Sequence, residues 1–339
     1  MNNRIGNQSI KFANHPSIAA AAAIAGKKES QGPLCRFFDK TFEDTKFGQK
    51  TWEKAESKMQ EIALETAAEK RGITYDDIDV LFAGDLLNQC IGSSFSLRNT
   101  NIPYCGLYGA CSTMAESLLL ASIAVDGGYA NTAAAMTSSH FATAERQYRF
   151  PLVYGGQRTP TAQWTVTGSG CIILQKQNVG PYINACTIGK IVDYGITDAN
   201  NMGAAMAPAA YATISQHFED LKIRPSDYDL ILTGDLGKIG KSILADLFTK
   251  DGYSFANYDD CGCLIYDLDK QDVHAGGSGC GCGAVTLCGY VMDQMLQGKI
   301  KNVLFCATGA LLSPVSTQQG ESIPGICHAI SIGVAPWNL

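Results

Sequence analysis

The sequence has no apolar run long enough to cross a membrane. The best candidate, Ile18 to Ala25, has eight residues and is mostly alanine, whereas a transmembrane helix needs about 20 apolar residues. The sequence also lacks the basic flank and long apolar core of a signal peptide, so we expect none. We therefore expect any membrane association to be peripheral.

Charged residues are scarce, and the basic ones are not clustered. Charged residues make up 17% of the 339 positions, and the net charge is −6. No basic run offers nucleic acid a surface to contact, so we predict no nucleic-acid partner. The apolar fraction of 46% is ample for a large core.

Cysteine is plentiful, but its pattern is typical of neither a disulfide scaffold nor a metal site. The 13 cysteines are an odd number, and many lie in apolar runs, where a reduced thiol packs as a small core residue. The spacings Cys261-x-Cys263 and Cys280-x-Cys282 differ from the C-x2-C of structural zinc sites. The sequence therefore predicts reduced thiols, an intracellular protein, no resident metal and no cofactor.

The chain contains an internal duplication. Residues 73–86 (ITYDDIDVLFAGDL) align without a gap with residues 223–236 (IRPSDYDLILTGDL), at an offset of 223 − 73 = 150. A second block, which starts at Cys111 and at Cys282, aligns at an offset of 282 − 111 = 171. The second half therefore holds 171 − 150 = 21 additional residues, which we expect around residues 253–269.

Each repeat has the pattern of an α/β unit. A helix with apolar residues every three or four positions runs from Trp52 and is expected to stop at Gly72. The strands that follow, 80–83 and 230–233, are apolar throughout, which is typical of strands buried on both faces of a parallel sheet. We predict an α/β protein of two duplicated halves, residues 1–180 and 181–339, related by a pseudo-two-fold axis.

The sequence around Cys111 indicates a functional turn. An apolar strand, 102–108, leads through Gly109 and Ala110 into Cys111, and a long apolar helix follows at once. Free N–H groups and the helix dipole favour negative charge at such a position. We therefore expect Cys111 to be a nucleophile of lowered pKa or part of an anion site. A purely packing role for a small residue is the alternative.

This Gly-Ala-Cys-Ser turn, the duplication and the glycine-rich ending resemble the thiolase and ketoacyl-synthase superfamily. The resemblance implies a layered α-β-α-β-α fold. Several segments are more closely similar to one family, stage V sporulation protein AD. They are FAGDLLNQ (82–89), YGACSTMAES (108–117), SSHFATAERQYRFP (138–151), YGGQRT (154–159), GITDANNMGAAMAPAA (195–210), GGSGCGC (276–282) and ATGALLSP (307–314).

This narrower resemblance implies a binding protein that uses a thiolase fold without catalysis. The family is part of the apparatus that moves dipicolinic acid into spores. The resemblance implies binding of dipicolinate (pyridine-2,6-dicarboxylate), free or as its calcium chelate, and so calcium only as it is brought with the ligand. It also implies membrane-embedded sporulation proteins as partners, a location in the forespore on the inner spore membrane, and a homodimer with strand 131–138 at its interface.

An acyltransferase or condensing enzyme that acts on acyl thioesters through Cys111 is the alternative function. In ketoacyl synthase III enzymes a histidine follows the second-half strand, where this sequence has Asp235, and an asparagine lies in a segment that here reads Gly276-Gly277-Ser278. Both partners are therefore missing, which favours binding over catalysis. The segment SIPGICHAISIG (322–333) nevertheless resembles the last active-site loop of thiolases. Cys327 and His328 would be catalytic with Cys111 if the chain were an enzyme, and a scaffold with a vestigial cleft is a third hypothesis.

A bound dianion calls for cationic side chains near Cys111. Arg146 and Arg149 follow a strand, 133–138, that we expect beside the Cys111 strand. A guanidinium fork matches a carboxylate in geometry and charge. Both arginines are therefore predicted ligand residues, with structural ion pairs as the alternative.

Four polar residues complete the predicted binding site. His140 and Asn88 are candidates for its polar walls. Asp85 and Asp235 follow equivalent strands in the two repeats, so they are predicted to orient the ligand or to approach its calcium ion. A turn-capping role is the alternative for both aspartates.

Overall fold

The computed structural model of the chain describes residues 3–148, 158–176, 179–253 and 255–337. No helix within these ranges combines the length and the apolar character needed to span a bilayer. The strands are β1 (Arg4–Ile5), β2 (Ser9–Lys11), β3 (Pro16–Ala25), β4 (Lys40–Thr41), β5 (Val80–Gly84), β6 (Tyr104–Leu107), β7 (Thr132–Ser139), β8 (Trp164–Thr165), β9 (Gly168–Lys176), β10 (Tyr182–Thr187), β11 (Leu230–Thr233), β12 (Tyr258–Asp260), β13 (Gly277–Ser278), β14 (Asn302–Ala310) and β15 (Gly325–Gly333). The helices are α1 (Trp52–Arg71), α2 (Ile91–Leu97), α3 (Thr113–Asp126), α4 (Phe141–Tyr148), α5 (Met202–Leu221), α6 (Gly237–Lys250), α7 (Cys261–Leu264), α8 (Cys280–Val285), α9 (Met292–Leu296) and α10 (Pro314–Gln318).

The main sheet consists of two arrays with the same strand order. One array runs β6-β5-β7-β9-β3 and the other runs β12-β11-β14-β15-β10. In each array the first three strands pair in parallel and the remaining pairs are antiparallel. The arrays meet where β10 pairs with β3, at Tyr182 and Ser17. The repeat in the sequence is therefore a repeat of topology, as predicted.

Helices form three layers around the two arrays. On the outer face of the first array, α1 packs through Met59 and Ala63. On the outer face of the second array, α5 packs through Ile214. Between the arrays, α3 and α8 share a core that includes Leu118 and Val285. Burial of these apolar faces stabilises each layer against the next. The predicted α-β-α-β-α arrangement of duplicated halves is confirmed.

The outer helices begin and end where local chemistry allows. The Thr51 side chain accepts a hydrogen bond from the N–H of Lys54 at the start of α1, and Gly72 ends that helix in the left-handed conformation with φ of 72°. At the end of α5, Lys222 adopts the same conformation with φ of 57°. These two caps are 150 residues apart, which is the offset of the repeat.

The helix α5 starts at Met202 and contains Gly203 and Pro208, two residue types that disfavour a helix interior. A Cβ atom on Gly203 would lie 2.3 Å from the carbonyl oxygen of Leu236. The glycine therefore allows a close approach between α5 and the start of α6, instead of breaking the helix.

Strand β7 lies inside the sheet, between β5 and β9. All eight of its residues are buried. The prediction that strand 131–138 forms a dimer interface is wrong, because β7 has no free edge and only Asn131, which precedes β7, is exposed. The edge strands of the two arrays are β6 and β12.

Candidate functional site

Cys111 lies on a tight turn between β6 and α3. The turn is a 3-10 segment, Ala110–Ser112, and Ala110 has φ of 52°, which is uncommon for a residue other than glycine. The Ser112 hydroxyl donates to the carbonyl oxygen of Gly109 at 2.7 Å, and the Cys280 thiol donates to that of Ala110 at 3.0 Å. Side chains of both halves therefore hold the turn that presents Cys111.

A cavity of about 230 Å³ opens at Cys111. Its walls come from both halves of the molecule and are mostly apolar. The residues that line it are Leu86, Ala110, Cys111, Ala144, Glu145, Tyr148, Thr165, Ala199, Asn200, Met202, Ser278, Ala310 and Leu312. A concave, mainly apolar cavity with a few polar groups is the usual form of a small-molecule site.

Asp235 lies against Cys111 from the second half of the chain. Its buried carboxylate accepts hydrogen bonds from the Ser278 hydroxyl at 3.1 Å, the Gly279 N–H at 3.0 Å and the Thr308 hydroxyl at 2.9 Å. The Cys111 thiol also donates to it. Burial raises the pKa of Asp235, although these four donors act to lower it. The carboxylate thus joins the glycine-rich segment to the Cys111 turn.

The Cys111 thiol is held in its protonated form. Burial raises its pKa well above the ordinary value, and the negative charge of Asp235 raises it further. A hydrogen bond from the Gly279 N–H acts in the opposite direction and is a smaller effect. The prediction of a lowered pKa is therefore wrong, because burial and a neighbouring carboxylate outweigh the helix terminus.

Asp85, the counterpart of Asp235 in the first repeat, has a structural role. Its carboxylate accepts from the N–H of Leu87 at 2.9 Å, and from both the N–H and the hydroxyl of Ser93 at 2.7 Å each. These bonds cap the entry to α2. Asp85 does not line the Cys111 cavity, so the structure supports the turn-capping alternative for this residue.

Asn88 and His140 also lie outside the Cys111 cavity. Asn88 is exposed and accepts a hydrogen bond from the Tyr108 hydroxyl at 3.3 Å. The buried His140 ring lies 2.7 Å through Nε2 from the Thr45 carbonyl oxygen, and its Nδ1 accepts from the Ala142 N–H at 3.1 Å. Burial lowers the pKa of His140. Both ring nitrogens have hydrogen-bond partners within the protein. His140 therefore stabilises the start of α4 and does not bind a ligand at Cys111.

Arg146, one of the two predicted arginines, does not line the Cys111 cavity. The Arg146 guanidinium forms an ion pair with Glu53 and lies over the Trp52 ring, 5.9 Å from its centroid. This is the structural ion pair that was the alternative. Arg149 falls in residues 149–157, outside the described residues, and stays a predicted ligand residue.

Comparison with known proteins decides the family. Residues 6–333 match the family Stage V sporulation protein AD (SpoVAD). The chain is also 48% identical, over 326 residues, to Stage V sporulation protein AD of Bacillus subtilis (strain 168), with 96% of each chain covered. The chain belongs to the stage V sporulation protein AD family. It is therefore a sporulation protein.

Solved structures with a similar fold share little sequence identity with this chain. The 3-oxoacyl-[acyl-carrier-protein] synthase III of Aquifex aeolicus VF5 is similar with a TM-score of 0.58 and 11% identity, over 94% of this chain and 99% of that one. Cerulenin-bound OleA of Xanthomonas campestris is similar with a TM-score of 0.62 and 12% identity, over 95% of this chain and 98% of that one. At such identities the similarity shows a thiolase-like fold and nothing about activity.

The cluster that an enzyme of this fold would need is not assembled around Cys111. Cys327 is fully buried and its thiol contacts Cys306 in the core beneath α5. His328 accepts a hydrogen bond from the Gly189 N–H at 3.2 Å, and burial lowers its pKa to about 4. Neither side chain lines the cavity in this SpoVAD-family member.

Several lining residues were missed in the sequence. Glu145 and Tyr148 lie on α4, and Asn200 precedes α5. All three fall within segments that resemble the family, 138–151 and 195–210. That resemblance is the signal that the sequence offers for these three residues. No sequence pattern predicts that Thr165 lines the site. It lies on β8, which reaches the site by pairing with β13, a strand distant in sequence.

Proposed function

We propose that this member of the SpoVAD family binds dipicolinate, free or as its calcium chelate, in the cavity at Cys111, and does no chemistry on it. The observation that carries the proposal is the Cys111–Asp235–Ser278 arrangement. The thiol and the Ser278 hydroxyl both donate to Asp235, so the carboxylate is engaged and the sulfur stays protonated. A nucleophilic cysteine needs an adjacent base or a lowered pKa, and burial beside Asp235 has the reverse effect.

The size and lining of the cavity suit a single aromatic ring. Its volume of about 230 Å³ is below the roughly 300–1,000 Å³ of sites for drug-sized ligands. Apolar side chains such as Leu86 and Leu312 can pack on the faces of a ring, while Thr165 and Asn200 offer hydrogen-bond donors to carboxylates. Arg149 remains the predicted cation for this ligand.

The cellular setting of the proposal follows from the family. A sporulation protein that binds dipicolinate would act in its uptake into the developing spore. We propose a peripheral location on the inner spore membrane, in the forespore, with membrane-embedded sporulation proteins as partners. The homodimer also stays a prediction, with its interface away from β7.

Isothermal titration calorimetry with dipicolinate, with and without calcium, tests binding. We expect saturable binding to the wild type. Cys111→Ala should bind with similar affinity, because the thiol already donates its hydrogen bond to Asp235. Ala199→Phe should remove the component of this binding that belongs to the Cys111 cavity, because the larger side chain fills the space that Ala199 lines. Ala212→Phe, at an exposed position of α5, is the matched control and should bind as the wild type does.

The acyltransferase alternative is tested on the same proteins. Incubation with acyl-coenzyme A followed by intact-mass spectrometry should leave the wild type unmodified. Acylation that is lost in Cys111→Ala, together with no binding of dipicolinate, would replace the binding proposal by an enzymatic one.

A further inference from the structure

A second cavity, of about 730 Å³, lies on the other side of α4 from the Cys111 cavity. Glu145 lines both cavities, so a single helix forms the wall between them. The second cavity is bounded by Trp52, Phe141 and Trp164 together with the segment that follows β3. None of the chemistry assigned to Cys111 uses it.

Two cations share one aromatic ring in this second cavity. The Trp164 indole stacks on Phe141, with centroids 3.8 Å apart and planes at 10°. The Lys28 ammonium lies 3.8 Å from the centroid of the indole, and the Arg158 guanidinium carbon lies 4.6 Å from it. The ring stabilises each cation, but the two positive charges repel one another. Burial lowers the pKa of Lys28, the charge of Asp272 acts to raise it, and the charge of Arg158 acts to lower it.

The hydrogen-bonding capacity of these cations is only partly used. Arg158 donates through Nη2 to the carbonyl oxygen and to Oδ1 of Asp272, a residue whose side chain is 74% exposed. Its other terminal nitrogen, Nη1, is buried without a hydrogen-bond partner in the described chain. Lys28 likewise forms no ion pair with any residue that the structure describes. A buried donor without a partner is costly.

A buried carboxyl group provides a second unpartnered atom in the same wall. Glu29 is 1% exposed and lines the cavity. Its Oε1 accepts from the Thr167 N–H at 3.0 Å and from the Tyr266 hydroxyl. Its Oε2 is buried and has no partner among the described residues. Burial raises the pKa of Glu29, and a neutral carboxyl group is a hydrogen-bond donor.

We propose that this cavity is a second anion site, in which Lys28 and Arg158 bind a carboxylate of a small organic acid. An anion between the two cations relieves their repulsion. The indole, which lies under both cations, keeps them oriented towards the cavity. The site is separate from the Cys111 cavity and does not depend on what that cavity binds.

Titration in a background that removes the first site tests this proposal. In the Ala199→Phe protein, dipicolinate and benzoate should still bind, and binding should weaken as salt is added. Lys28→Met and Arg158→Gln should each weaken it about tenfold or more, because each removes a charge-assisted hydrogen bond. Lys27→Met is the matched control, since Lys27 lines the same cavity but pairs with Glu43 at 3.4 Å.

Three outcomes would overturn the proposal. Equal affinities of the Lys28→Met, Arg158→Gln and control proteins would show that these cations do not hold the anion. Binding of inorganic phosphate without binding of either carboxylate would show a different class of anion. Absence of any binding by the Ala199→Phe protein, at a wild-type melting temperature, would show a single site. A different result would contradict the Cys111 proposal: the Ala199→Phe protein would bind dipicolinate with the same stoichiometry and affinity as the wild type.

Discussion

At the scale of single residues, Asp235 and Asp85 differ in their contacts, although neither lines the cavity. Both follow equivalent strands, but only Asp235 contacts Cys111, while Asp85 is bonded to Leu87 and Ser93. The sequence predicted the Cys111 turn, because strand, small residues and helix follow one another directly. It could not predict the raised pKa of the thiol, since burial and the approach of Asp235 arise only from the packing of the two halves.

Asp235→Asn should make Cys111 more reactive. Loss of the negative charge lowers the pKa of the thiol. Each decrease of one pKa unit raises the thiolate fraction at neutral pH roughly tenfold. The rate of alkylation of Cys111 by iodoacetamide, measured by peptide mass spectrometry, should therefore increase. Asp85→Asn is the matched control and should leave the rate unchanged. Equal rates for Asp235→Asn and the wild type would show that Asp235 does not suppress the thiolate.

Thr165 is the lining residue that can be altered with least disturbance. Thr165→Val keeps its shape and removes one hydrogen-bond donor from the cavity. We expect dipicolinate affinity to fall by about 10- to 150-fold, the equivalent of one hydrogen bond to a charged group. Thr249→Val, at an exposed position of α6, should bind as the wild type does. Unchanged affinity of Thr165→Val would place the ligand elsewhere.

At the scale of elements, the sequence was most informative where one periodic pattern dominated. The predicted strand 230–233 is β11, and the helix predicted to stop at Gly72 does so. It was least informative where a residue that disfavours helices is used for packing, as Gly203 is at the start of α5. Whether a glycine breaks a helix or allows a close approach depends on the neighbouring element, which is distant in sequence.

The two helix ends at Gly72 and Lys222 give a paired stability prediction. Both residues are left-handed, a conformation that costs a residue with a Cβ about 1 kcal/mol relative to glycine. Gly72→Ala should therefore lower the free energy of unfolding by about 1 kcal/mol, and Lys222→Gly should raise it by a similar amount. A Cβ at Gly72 has no atom within 4 Å, so a steric clash does not contribute. Urea denaturation measures both changes, and shifts of the same sign would contradict the account.

At the scale of the whole molecule, the duplication could be predicted because it is recorded in sequence offsets. The way the halves meet could not, because it depends on contacts such as Cys280 with Ala110 and Asp235 with Cys111. The prediction that strand 131–138 forms a dimer interface was wrong for a similar reason. An apolar strand in the sequence can be central or at an edge, and the order of the sheet places β7 in its interior.

A buried carboxyl group makes global stability depend on pH. Burial, and then the charge of Asp85, raises the pKa of Glu56 to about 8 from 4.5. The geometry agrees, since Thr143 Oγ1 lies 2.6 Å from Glu56 Oε2 and 2.9 Å from the His140 carbonyl oxygen. One hydroxyl proton cannot serve both acceptors, and a neutral Glu56 supplies the second proton.

Stability should therefore fall with rising pH through the titration of Glu56. The folded state holds a proton that the unfolded state releases near pH 4.5, so its contribution is full below that pH and is lost as pH rises through about 8. Glu56→Gln cannot bind this proton, so its stability relative to the wild type should improve steadily from pH 5 to pH 8. Melting temperatures across this range measure the difference. Glu61→Gln, on the exposed side of α1, is the control, and a Glu56→Gln curve parallel to the wild type would refute the prediction.

The central claim is that the ligand occupies the cavity at Cys111, and protection of that thiol tests it most directly. Alkylation of each cysteine is followed by peptide mass spectrometry while dipicolinate, with and without calcium, is added. Our account predicts that Cys111 alkylation slows to saturation, whereas the exposed Cys35 and Cys105 on the same molecules react at unchanged rates. An unchanged rate at Cys111, at concentrations where calorimetry shows the protein to be saturated, would contradict it.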